Sequence, residues 1–163
     1  MALLTFCASR TLPNTHIISQ TMYTQSAFAF GPYVAHFALF PSEKQREYGE
    51  KSISSSASPD AHKELLQAYF ASREATYTLK AQFSSSLVQH PVDNASVVWP
   101  ESTAPFLALA DLTFPKQESY SEARLKWWED EIALSPFNSL EAHKPLGSVN
   151  RLRKRVYEMV SSS

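Results

Sequence analysis

The chain has 163 residues, which fits one domain and can bury a core without disulfides or metals. It is 44% hydrophobic and 12% aromatic, the make-up of a folded globule and not of a disordered chain. A net charge of −1 excludes a global field that would steer the protein to nucleic acid or to an anionic membrane. Glycine is scarce, at 3, and neither GxGxxG nor GxxxxGK[ST] occurs.

The single cysteine, Cys7, has no internal disulfide partner and no CxxC context. It fits a reducing, intracellular compartment, and the expected location is the cytoplasm. The opening "MALLTFCASR" lacks the basic n-region of a signal peptide, and no apolar run is long enough to span a bilayer.

Residues 1–26 are polar without a sustained period and read as an irregular lead-in. "FAFGPYVAHFALFP" (28–41) reads as one strand with apolar residues on both faces, bulged or bent at Gly31-Pro32. Residues 42–60 read as a charged, serine-rich exposed loop ending in a helix start, with Ser58 as cap and Pro59 at the first helical position. Leu65, Leu66, Tyr69 and Phe70 then form the apolar stripe of a helix.

"ATYTLKAQF" (75–83) alternates. Ala75, Tyr77, Leu79, Ala81 and Phe83 are expected inside, and Thr76, Thr78, Lys80 and Gln82 in water. Turn residues follow at Asp93-Asn94. A strand over 105–115 places Phe106, Ala108, Ala110, Leu112 and Phe114 on one face. Ser119 and Glu122 can form a capping box for a helix that Trp127 and Trp128 anchor to the sheet. The last helix is expected from about Ser148 to Val160. The pattern is α+β, with an antiparallel sheet first and helices gathered toward the C-terminus.

Few residue sets suggest chemistry. His16, His36, His62, His90 and His143 are scattered, with no metal-ligand spacing, and His36 reads as a hydrogen-bonded core histidine. There is no GxSxG nucleophile turn. Glu129, Asp130 and Glu131 are consecutive and do not share a helix face.

The tail "HKPLGSVNRLRKRVYEM" (143–159) is the densest feature. On a helical wheel Val149, Leu152, Val156, Met159 and Val160 cluster on one side, and Arg151, Lys154, Arg155 and Glu158 lie opposite. Arg153 and Tyr157 are four apart and so stack one turn above the other. The pair is either an ordinary contact on an amphipathic helix or a minimal haem-iron ligand with its charge partner. A tyrosine can bind haem iron as a phenolate, a free phenol titrates near pH 10, and a guanidinium one turn away stabilises the anion. A nucleic-acid surface would need a broader basic patch than this net-acidic chain has.

"HKPLGSVNRLRKRVY" closely resembles the closing motif of the catalase-like haem superfamily, in the branch of short catalase-related proteins of bacteria and fungi. "SQTMYTQSAFAFGPYVAHFALFP", "ASVVWPESTAPFLALADLTFPKQ" and "ALSPFNSLEAHKPLG" are similar to segments of those proteins in the same order, so the resemblance covers roughly residues 14–160. It implies haem as cofactor, Tyr157 as the iron ligand and Arg153 as its charge partner. It implies the second half of a catalase-type β-barrel with C-terminal helices, a partial domain over 27–163 behind the lead-in 1–26. Peroxide or an organic hydroperoxide would be the oxidant, and some relatives of this kind act in specialised metabolism.

The chain departs from the pattern in several places. The longer N-terminus that carries the distal histidine and asparagine in the family has no counterpart here, so the chain reads as a truncated C-terminal half. Pro32 and His36 stand where charged residues are usual, and Phe137 where tryptophan is. Two partners are implied, either self-association or another chain that completes the barrel. The alternative is a non-catalytic structural or interaction remnant of the fold.

Overall fold

The computed structural model describes residues 14–51, 53–54, 56–132 and 134–161. Cys7 and the first half of the lead-in lie outside them. The strands are β1 (Met22–Tyr23), β2 (Phe28–Phe30), β3 (Tyr33–Pro41), β4 (Ala75–Phe83) and β5 (Phe106–Phe114). The helices are α1 (Glu43–Gly49), α2 (Ala61–Ser72), α3 (Glu122–Glu131) and α4 (Gly147–Ser161). The expected α+β class holds.

All pairings are antiparallel. β3 lies between β4 and a column shared by β1 and β2, and β5 is the outer edge beyond β4. Residues 28–41 are not one bent strand. Gly31-Pro32 is the turn of a tight hairpin in which Phe30 pairs with Tyr33. Gly31, at φ 60°, takes the left-handed position that a II′ hairpin turn gives to glycine.

The lead-in is docked from Asn14 onward. A 3₁₀ turn over Ile17–Ser19 puts Ile18 into a core with Tyr69, Ala75 and Tyr77, against which Leu39, Leu66 and Phe70 pack. His16 fixes this segment through both ring nitrogens. Nε2 donates to the Leu65 carbonyl at 3.2 Å, and Nδ1 accepts from the Ile18 amide at 3.1 Å. Burial holds the His16 pKa below its ordinary 6.5, and the nearby His62 adds to the effect.

The stretch 42–60 is not all exposed loop, because it contains α1. Gln45, 1% exposed, accepts from the Thr76 amide at 2.7 Å and from the Ser42 hydroxyl at 2.8 Å, and donates to Ile18 O at 3.3 Å. Ser58 caps the turn before α2 by accepting from the Asp60 amide, and the helix itself starts at Ala61. The cap of α3 is Ser121, which accepts from the Arg124 amide, and not Ser119.

β4 follows its expected alternation on the inner side, where Ala75, Tyr77 and Ala81 are buried. The other side is drier than its polar residues suggest. Gln82 is buried and donates to the carbonyls of Trp99 and Ala104 at 2.9 and 2.8 Å, which folds the connection between β4 and β5 over this face. His90, fully buried, tightens that connection, accepting from the Ser85 amide at 3.3 Å and donating to Thr103 Oγ1 at 3.0 Å. A bulge where Leu79 pairs with Ala110 and Lys80 with Ala108 breaks the single face expected for β5. Phe106 and Ala108 share one face; Ala110, Leu112 and Phe114 share the other.

Candidate functional site

The helix α4 is held at its start. Segment 142–146 runs along the outer side of β2. Ala29 donates to Lys144 O, Gly31 to Ala142 O and Leu146 to Ala27 O, each at 2.9 Å. Gly147 follows at φ 88°, and a Cβ there would lie 2.5 Å from the Val92 carbonyl oxygen, so only glycine fits. Asn150, 1% exposed, donates to Leu146 O at 2.8 Å and Ala27 O at 3.3 Å. Ser148 donates to Asp93 O at 2.7 Å, and Arg151 pairs with the Asp93 carboxylate at 2.8 Å. Thus "PLGSVNR" builds the joint between the last helix, the hairpin and the loop after β4.

Beyond this joint the helix carries the expected pair together. Arg153 Nη2 donates to Tyr157 Oη at 3.5 Å, and the guanidinium carbon lies 5.8 Å from the phenol ring centre. Both residues are half-buried. Phe137 meets the Tyr157 ring edge-on, with centres 6.0 Å apart. The predicted wet residues Arg151, Lys154, Arg155 and Glu158 are exposed. So is most of the apolar stripe: Leu152 is 67%, Val156 48% and Met159 66% exposed. Trp127 and Trp128, expected to anchor α3, are 56% and 50% exposed.

The remaining candidates sit elsewhere. His36 meets Trp99 edge-on at 4.4 Å on the sheet face covered by the connection between β4 and β5. Burial lowers its pKa, and a backbone hydrogen bond to Thr24 works in the opposite direction. His16 and His90 have both ring nitrogens engaged in the core. Sequence reading missed these two as structural groups, because nothing local marks a histidine whose partners lie 49 and 13 residues away. Among the described residues, no group of three or more His, Cys, Asp or Glu could hold a metal ion.

The donor chemistry at Tyr157 fits one side of a haem. A phenol oxygen with a guanidinium at hydrogen-bond distance is a donor type that haem iron accepts. The exposed stripe of Leu152, Val156 and Met159 does not enclose it.

This architecture is a partial catalase-like fold: an antiparallel sheet with helices beyond it. A fungal catalase structure superposes with a TM-score of 0.63 at 14% identity, over 90% of this chain and 30% of that one. Catalase A from Saccharomyces cerevisiae superposes with a TM-score of 0.65 at 13% identity, over 94% of this chain and 33% of that one. The chain therefore spans about a third of the length of these catalases. No protein-family model matches it, and no curated protein matches it in sequence.

Proposed function

We propose that this chain is a haem-binding, catalase-like protein that supplies the proximal side of a haem site, with Tyr157 as iron ligand and Arg153 as its charge partner. The observation that carries this reading is the 3.5 Å contact between the Arg153 guanidinium and the Tyr157 phenol oxygen. It occurs on a helix fixed by the segment whose sequence resembles the catalase-like closing motif. Bound haem would supply the redox chemistry of a peroxide- or hydroperoxide-dependent oxidoreductase in the cytoplasm, with specialised metabolism as its setting. The protein's own share is to present the Tyr157 oxygen, keep the Arg153 guanidinium against it and place Phe137 at its flank. A second copy or a partner chain would complete the barrel around this proximal side.

The test is a titration of the purified chain with ferric haem, followed by visible absorption. The expected result is uptake of one equivalent with a Soret band, and loss of that uptake in Tyr157→Phe with an unchanged circular dichroism spectrum. Uptake that is absent, or equal in the two proteins, overturns the reading. The second reading is a non-catalytic interaction module, and the exposed stripe of α4 and the exposed Trp127 and Trp128 favour it.

A further inference from the structure

The two edges of the sheet are treated differently. On the β2 side, residues 142–146 pair with the outer edge, and β1 is only two residues long. The β5 edge is a nine-residue strand, Phe106–Phe114, with no proline, lysine or arginine in it. Leu107, Leu109 and Phe114 are 52%, 38% and 41% exposed, and Ala108, Ala110, Asp111 and Thr113 are exposed as well. Of the common devices that stop edge pairing, the strand carries only the bulge at Leu109 and the single charge of Asp111. Past that bulge, Ala110–Phe114 is a regular five-residue run on which a new strand can form.

We propose that a second copy of this chain pairs with it through β5, antiparallel, with the two-fold axis at Leu112. In that register Leu112 faces Leu112, Ala110 faces Phe114, and Asp111 faces Thr113. Every directly opposed pair then shares a sheet face and is apolar–apolar or carboxylate–hydroxyl, with no like charges opposite each other. Thr78 Oγ1 donates to Asp111 Oδ1 at 2.8 Å within one chain, which leaves Oδ2 to accept from the partner copy's threonine hydroxyl. The register centred on Ala110 fails, because the bulge sends Phe106 and Phe114 to opposite faces. With one long open edge among the described residues, the contact is isologous, so assembly stops at two copies instead of growing into a fibre. The pairing is independent of haem.

Cysteine cross-linking of the full chain in a Cys7→Ser background tests both the contact and its register. Across the two-fold, Leu112→Cys places two Cα atoms about 4.5–5.5 Å apart, within disulfide reach. The twin of Ala110→Cys lies about 13 Å away along the strand. Sedimentation of the unmodified chain should show twice the 18.3 kDa monomer mass, dissociating on dilution. Mild oxidation should then cross-link Leu112→Cys, with at least a tenfold lower yield for Ala110→Cys. Leu112→Lys, placing two ammonium groups at the axis, should be monomeric with native circular dichroism; if it unfolds, the cysteine pair decides. A strictly monomeric chain overturns the proposal. So does a dimer that cross-links through Ala110→Cys or through neither site, and so does a monomer that associates only with an added chain carrying the first half of a catalase-like barrel.

Discussion

The region around residue 18 and the helices after β5 hold comparable stocks of large side chains and treat them in opposite ways. Ile18, Tyr69 and Tyr77 are 2%, 3% and 4% exposed, and Gln45 and His16 satisfy the polar groups between them. Trp127, Trp128, Leu152 and Met159 are 56%, 50%, 67% and 66% exposed. The first region closes on itself, through a lead-in that crosses under α2 and a glutamine that ties α1 to β4. The second is held mainly where α4 begins, at Gly147, Asn150 and Arg151, and by the Phe137–Tyr157 contact, while Leu152, Val156 and Met159 stay largely exposed. Stability therefore concentrates at one end of the chain, and the residues offered for chemistry stand at the other.

The largest effect expected from breaking this contrast comes from the closed end. Ile18→Ala should cost about 2–5 kcal/mol in urea unfolding, because it deletes buried methyl groups from a packed site. Gln45→Ala should cost about 1–3 kcal/mol, since it strands the partly buried Thr76 amide. Acid should act on the same end. His16 and His36 have lowered pKa values through burial, so the unfolded chain binds more protons than the folded one as pH falls through 6.5. Stability should be full above that pH and should decline below it, and His16→Gln should flatten the decline in part, leaving the share due to His36. At the open end Leu152→Ala should change the unfolding free energy by less than about 0.5 kcal/mol, as an exposed site does. A cost of several kcal/mol there would mean that α4 is covered in solution.

The sequence shows this contrast only in part. The alternation of "ATYTLKAQF" gives β4 at its full length, because a period of two is a local property. The hairpin at Gly31-Pro32 is hidden by apolar residues on both sides of the turn, which read as one continuous strand. α1 is hidden by its charges, and what makes it part of the core is Gln45, a polar residue with distant partners. The pair Arg153–Tyr157 follows from helical spacing and is found in contact. The same wheel gives an apolar stripe but not whether anything lies against it, since cover is a tertiary fact. Trp127 and Trp128 show the same limit: their size suggests burial, and each stands at least half exposed.

The central claim is that Tyr157 is a haem-iron ligand, and resonance Raman spectra of the ferric haem-loaded chain test it most directly. The account predicts phenolate vibrations in the native protein and none in Tyr157→Phe. A native spectrum without phenolate bands, or one unchanged by the substitution, would contradict it.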